Sequence, residues 1–185
     1  MTTVGEAVAM LQQSSVIGRD FELATFRSWL AYPGRPELLN VSGPPGVGKT
    51  TLLEVFAREA QLLGRDVAVA DGHSFGATPQ NLVVMLGGGR SSTINELIEQ
   101  LNGNRSLVLI DTFEELEHLT NYLQQELLPR LDTGVKVVIA GRRPLVLAWR
   151  RADGWPKIVR LLALDGLSAG DSRLYLKRRG LDDGK

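Results

Sequence analysis

The segment Gly43-Pro44-Pro45-Gly46-Val47-Gly48-Lys49-Thr50 fits the pattern G-x-x-x-x-G-K-[ST] without departure. Its setting constrains the fold further. The apolar run Leu38 to Val41 reads as a buried strand leading into it, and a helix with Leu52, Phe56, Ala60 and Leu63 as its inner stripe leads out, stopped at Gly64. Glycines let the backbone curl so that successive N–H groups converge on phosphate oxygens, and the following helix aims its positive N-terminal end at the same place. The pattern therefore assigns Pro45, Gly46, Val47, Gly48, Lys49, Thr50 and Thr51 to a phosphate cradle. Lys49 is expected to serve the β- and γ-phosphates of a nucleoside triphosphate and the Thr50 hydroxyl to ligate Mg²⁺. A Gly/Pro-rich turn without function is the bland alternative.

The rest of the chain alternates strands and helices. Further strands are expected at Asp66 to Ala70, Leu107 to Ile110, Val135 to Ala140 and Ile158 to Leu162. Helices are expected at Thr3 to Gln13, after a cap at Asp20, at Pro79 to Leu86, from a Thr93/Glu96 capping box to Leu101, along the stripe Leu116, Leu119, Leu123, Leu127 and Leu131, and from Ser168 to about Arg179. Tyr32 to Pro36 ends the second of these, and Gly87-Gly88-Gly89 reads as the most flexible point mid-chain. Apolar strands alternating with helices predict an α/β fold, a doubly wound parallel sheet covered on both faces.

Composition adds exclusions. The chain has no Cys, which rules out a disulfide scaffold and a thiolate zinc site. The N-terminus lacks a basic head followed by an apolar stretch, and no apolar run is long enough to span a bilayer, so a cytoplasmic protein without membrane contact is expected. Basic and acidic residues balance at 21 each, against a nucleic-acid footprint over the whole segment. From Arg142 to Lys185, however, 11 basic residues face 5 acidic ones. That tail reads as a solvated basic helix or as a docking face for phosphate or an acidic domain.

Acids end the third strand: Asp111-Thr112-Phe113-Glu114-Glu115. A parallel sheet brings its strand ends to the edge that carries the phosphate loop. Asp111 is thus expected in the Mg²⁺ shell through water, and Glu114 or Glu115 as the group that orients or deprotonates an attacking water. Alternatively Asp111 caps the next helix and the glutamates favour its first turn. Arg142, just after the fourth strand, is placed to sense a γ-phosphate, or is an ordinary loop residue with Arg143. His73 and His118 lack any ligand spacing.

Several of these segments together resemble the AAA-type and STAND P-loop ATPases. Val16-Ile17-Gly18-Arg19-Asp20-Phe21-Glu22-Leu23 is similar to their GR-x-x-E-L start, Asp111 to Glu115 to the STAND pattern of aspartate, small residue, hydrophobe and two acids, Val138 to Arg142 to their first sensor, and Leu164 to Ser168 with the helix ending Arg178-Arg179-Gly180 to the start of their helical lid. The resemblance implies a P-loop NTPase core with strand order 5-1-4-3-2, adenine packed near Ile17, Gly18 and Arg19, and ATP preferred over GTP. Arg19 has a plainer reading as a solvated residue at a helix start. The implied division is an N-terminal helix over 1–15, the core over 16–163 and a truncated lid over 164–185. The implied activity is slow ATP hydrolysis to ADP and phosphate in a conformational switch, with Lys49, Glu114, Glu115 and Arg142 as catalytic groups and further domains or proteins as partners. A non-hydrolysing nucleotide-read module, a DNA-linked origin-recognition-like or transcription-regulator ATPase, and a small-molecule kinase using Arg150 and Arg151 are the alternatives.

Overall fold

The computed structural model describes residues 17–32, 38–74, 76–145, 149 and 154–178. The helix expected over Thr3 to Gln13, and Arg150 and Arg151, lie outside these residues. Five parallel strands, β1 (Leu38–Ser42), β2 (Val67–Asp71), β3 (Leu107–Asp111), β4 (Lys136–Gly141) and β5 (Val159–Ala163), form one sheet in the order β2-β3-β4-β1-β5. This is the order that the resemblance implied, read from the other edge.

Alternate side chains of the central strands go to opposite faces, as the twofold repeat of a strand requires. Val108, Ile110, Val137 and Ile139 join α3 (Pro79–Leu86) and α4 (Ile94–Gly103) in one core. Leu107, Leu109, Val138 and Ala140 join α1 (Asp20–Ala31) and α2 (Lys49–Leu62) in the other. Phe26 of α1 stacks on Phe56 of α2 with ring centroids 3.8 Å apart, which locks these two helices together on that face. Only the three central strands are buried throughout; β2 and β5 are edges, and Val69 and Leu161 are exposed.

Local chemistry sets the helix ends. Thr93 Oγ1 accepts the Glu96 N–H while Glu96 reaches back to the Thr93 N–H, the expected capping box. Gly64, at φ +74, lets the Arg65 N–H turn back to the Ala60 carbonyl and close α2. Three expectations are corrected, and the triple glycine is given a defined turn. Asp20 is the first helical residue rather than the cap, where its charge favours the helix dipole. Leu63 lies past the end of α2 and is exposed, because the last turn has left the core. The three glycines make a hydrogen-bonded turn, with Gly88 and Gly89 at positive φ donating to Met85 and Val84 carbonyls. The leucine stripe is not a single α-helix: 3-10 turns at Phe113–Glu115, Glu117–Leu119 and Leu128–Arg130 flank an α-turn and a π-turn at Leu123–Leu127. Leu116, Leu119, Leu123 and Leu127 are nevertheless buried, so spacing placed the stripe while Pro129 and the turns broke the regular winding. α5 (Ala169–Arg178) follows β5, with Ser168 Oγ accepting the Asp171 N–H at its start.

Candidate nucleotide site

The phosphate loop sits at the carboxyl end of β1, at the edge where the strand order reverses between β1 and its neighbours. Gly46 (φ +76) and Gly48 (φ +96) take left-handed conformations that side chains disfavour, and the curl they create delivers the chain into α2 at Lys49. The Lys49 ammonium bridges the loop, donating to the Gly43 carbonyl at 2.8 Å and the Pro44 carbonyl at 3.0 Å. Gly43 itself is pressed against the segment after β5: a Cβ there would lie 2.6 Å from the Leu164 carbonyl oxygen. The Leu164 N–H in turn donates to the Ser42 carbonyl.

Asp111 ends β3 and is buried. Its Oδ2 accepts the Thr50 hydroxyl at 2.6 Å and its Oδ1 the Thr112 N–H at 2.7 Å. It does not cap a helix: the turn at Phe113–Glu115 follows Thr112, whose φ of +53 swings the chain away. Two hard oxygen donors side by side suit Mg²⁺, which takes one or two protein ligands and completes its octahedron with water and phosphate oxygens. Among the described residues, no group of three His, Asp or Glu forms an all-protein metal cage. The curled loop, the positive end of α2 and the Thr50–Asp111 pair thus fit a magnesium-bound nucleoside triphosphate.

Glu114 and Arg142 are brought together. Arg142 Nε lies 2.8 Å from Glu114 Oε1, and the Arg142 backbone N–H donates to Glu114 Oε2 at 3.2 Å. Arg143 pairs likewise with Glu117 at 2.7 Å. Glu115 is exposed and lies against Gly72, just past β2. Asp71, level with Asp111 in the sheet register, is a carboxylate beside the site that the sequence did not single out. Burial alone would raise its pKa, but the His73 N–H and the Thr112 and Ser74 hydroxyls outweigh that and hold it below the ordinary value. His118 is exposed, with Nε2 at 2.6 Å from the Ala77 carbonyl oxygen.

A cavity of about 420 Å³ adjoins the loop. Of the expected residues, Ile17, Arg19, Gly46, Val47, Gly48 and Thr51 line it; Leu52, Gly166, Leu167, Ser172 and Tyr175 are additions. The last four come from the segment after β5 and from α5. Nothing in their spacing marked them, because the contact depends on how α5 folds back. Gly18, Pro45, Lys49 and Thr50 do not line the cavity. Gly18, at φ +70, instead faces Asp171: a Cβ there would lie 2.5 Å from the Asp171 Cγ. Arg19 is not a solvated helix-start residue. It is buried, ion-paired to Glu22 at 2.8 Å, and donates to the Val47 and Asp165 carbonyls.

The sequence profile of the AAA ATPase domain family matches residues 15–165. No curated protein matches the chain. Solved structures of like fold include the Aeropyrum pernix ORC1 protein in complex with DNA, 17% identical, with a TM-score of 0.62 over 89% of this chain and 50% of that one. A replication initiator DnaA bound to AMPPCP and single-stranded DNA is 20% identical, with a TM-score of 0.59 over 91% and 54%. Domain III of the Thermotoga maritima replication initiation protein DnaA is also 20% identical, with a TM-score of 0.58 over 87% and 68%. The chain spans about half the length of the first two. At these identities the likeness is one of fold.

Proposed function

The chain belongs to the AAA ATPase domain family, and from that premise we propose that it binds ATP with Mg²⁺, hydrolyses it slowly, and uses the bound state as a conformational switch of the STAND kind. The observation that carries the switch is the composition of the cavity wall. One side is the phosphate loop, Gly46 to Gly48, and the other is Gly166, Leu167, Ser172 and Tyr175 at the start of the lid. A ligand held between them touches both bodies, so its binding energy differs between lid positions, which is what a switch requires.

When bound, the magnesium nucleotide supplies a γ-phosphoryl group whose transfer to water is the reaction. In our reading the residues of the chain divide the work. Pro45 to Thr51 cradle the phosphates, with the loop N–H groups and the Lys49 ammonium offsetting their charge. Thr50 and Asp111 hold the metal shell. Glu114 orients the attacking water and accepts its proton; Glu115, facing Gly72, is the weaker candidate. Arg142, fixed beside Glu114, stabilises charge on the γ-phosphoryl group. Ile17 and Arg19 border the adenine end, with Gly18 shaping their turn. Residues 16–163 act as the core and 164–185 as the start of the lid, in a cytoplasmic protein whose further domains or partners read the nucleotide state. Among the described residues no helix is long and apolar enough to cross a membrane.

The pairing of Glu114 with Arg142 also favours a second reading, a nucleotide-read module with negligible turnover, because both carboxylate oxygens that would meet a water are already engaged, one by the Arg142 guanidinium and one by its backbone N–H. The DNA named with the ORC1 and DnaA structures keeps an origin-recognition-like role as a third. Calorimetric titration of ATP, ADP and GTP with Mg²⁺, with phosphate release followed on the same sample, separates them. Adenine-selective binding with release that depends on Lys49 and Glu114 supports the switch ATPase. Release unchanged in Lys49→Ala sinks it, and tight binding with release equal to that of Glu114→Gln favours the module. Salt-sensitive retention of duplex DNA would bring the third reading forward.

A further inference from the structure

Arg19 is 7% exposed, and its guanidinium donates to partners drawn from three separate parts of the chain. Nη1 donates to Glu22 Oε1 at 2.8 Å within its own helix start. Nη2 donates to the Val47 carbonyl at 2.9 Å, 28 residues away, and to the Asp165 carbonyl at 2.8 Å, 146 residues away. A planar guanidinium with fixed donor directions is suited to such a three-way tie, and lysine, a point charge on a flexible stem, is not.

The two carbonyls matter for where they sit. Val47 lies between Gly46 and Gly48, inside the phosphate loop. In a planar trans peptide the C=O of one residue and the N–H of the next point in opposite directions. Holding the Val47 carbonyl therefore also fixes the direction of the Gly48 N–H, one of the loop donors. Asp165 lies between β5 and α5, four residues before α5 begins. A second contact reinforces the link: Gly18 abuts the Asp171 side chain in the first turn of α5, and Asp171 is itself held by Ser168 Oγ at 2.6 Å. The Ile17–Arg19 turn thus touches the lid helix and its root at two points, and the phosphate loop at a third.

We propose that Arg19 is a positioning residue that ties the root of the lid helix to the phosphate loop, so that a rearrangement of the Val47–Gly48 peptide is carried to α5. The transmission rests on the switch reading above; the tie itself does not. Loss of the guanidinium frees the Val47 and Asp165 carbonyls together, and α5 then moves independently of the loop.

The chain has no cysteine, so cysteines introduced at the exposed positions Glu54 on α2 and Lys177 on α5 can carry a pair of spin labels without background. Their distance distribution is measured by pulsed electron resonance in the labelled parent, in Glu22→Gln, and in Arg19→Gln combined with Glu22→Gln. The combined variant avoids leaving Glu22 buried without its cation, and circular dichroism reports whether it folds. Without nucleotide, the expected result is a narrow distribution in the parent and in Glu22→Gln, and loss of that narrow peak in the combined variant. With ATP and Mg²⁺ the parent peak shifts and the combined variant shows no corresponding shift. A combined variant that matches the parent in both conditions overturns the tie. A parent that does not respond to nucleotide overturns the switch reading instead, while the nucleotide-free comparison still decides the tie. Should the combined variant fail to fold, Arg19→Lys takes its place, with the same loss of the narrow peak expected and a parent-like peak overturning the proposal.

Discussion

The Thr50 hydroxyl donates to Asp111 Oδ2 at 2.6 Å, joining the first turn of α2 to the end of β3 across 61 residues of sequence. Because the Thr112 N–H holds the other carboxylate oxygen, the pair presents its oxygens in a fixed arrangement. Thr50→Val keeps the shape and removes the hydroxyl. A hydrogen bond to a charged group contributes about 1.5–3 kcal/mol, so the gain in ATP affinity on adding Mg²⁺ is expected to shrink by about ten- to hundredfold. Titration of ATP with and without the metal measures this; an undiminished gain in the variant removes Thr50 from the metal shell.

Glu114→Gln and Arg142→Ala separate chemistry from stability. The Arg142 side chain is 53% exposed, so its ion pair contributes no more than about 1 kcal/mol to folding. In a chain of this size that moves the melting temperature by about 2–4 °C. Loss of a general base, by contrast, lowers turnover by about 10²–10⁴-fold. Glu114→Gln is therefore expected to bind ATP and melt close to the parent while phosphate release falls at least a hundredfold. Release that survives in this variant and is lost in Glu115→Gln would exchange the roles of the two glutamates.

Gly18→Ala tests the packing of α5 against the turn before α1. The residue sits at φ +70, where a side chain costs about 1–2 kcal/mol, and its new methyl would meet the Asp171 carboxyl group. A fall in stability of at least that size is expected by denaturant titration. Asp171→Ala added to Gly18→Ala removes the two 2.5 Å contacts with the carboxyl group but keeps the Asp171 Cβ at 2.9 Å and the backbone strain, so it should recover part of the loss. No recovery would mean that α5 does not rest on Gly18.

Most of the fold was legible because it is carried by local signals. The alternation of Leu107 to Ile110 between two cores, the Thr93–Glu96 box and the glycine at 64 each specify their element without help from distant residues. The phosphate loop belongs to this class, since its spacing is itself the chemistry. The misses depended on tertiary contacts. Nothing in the Asp111–Glu115 run told Glu114 from Glu115; only the return of β4 sets Arg142 beside one of them. Arg19 is expected beside the adenine, with a solvated role as the plainer reading, and nothing in its own segment showed its carbonyl partners, which lie 28 and 146 residues away. Ser172 and Tyr175 reached the cavity through the folding back of α5, for which no spacing rule exists. The leucine stripe shows the opposite limit, with burial set by periodicity and helix type overruled by turns.

Acid should loosen α4 through its capping box. Glu96 Oε2 accepts the Ser92 N–H at 2.7 Å, the Ser92 hydroxyl at 2.9 Å and the Thr93 N–H at 3.3 Å. The Ser92 N–H foremost, with the Ser92 hydroxyl and the Thr93 groups, holds its pKa below the ordinary 4.5. A pKa lower in the folded than in the unfolded chain means that the carboxylate stabilises the fold fully above the unfolded value. That contribution then falls away as the pH drops through the folded one. Glu96→Gln retains a carbonyl oxygen to accept these bonds but cannot titrate. Amide hydrogen exchange of the first turn of α4 should therefore quicken on acidification below pH 4.5 in the parent, relative to its intrinsic rate. In Glu96→Gln the same comparison should be flat over that range, and a parent profile equally flat would place the cap outside the forces that hold this helix.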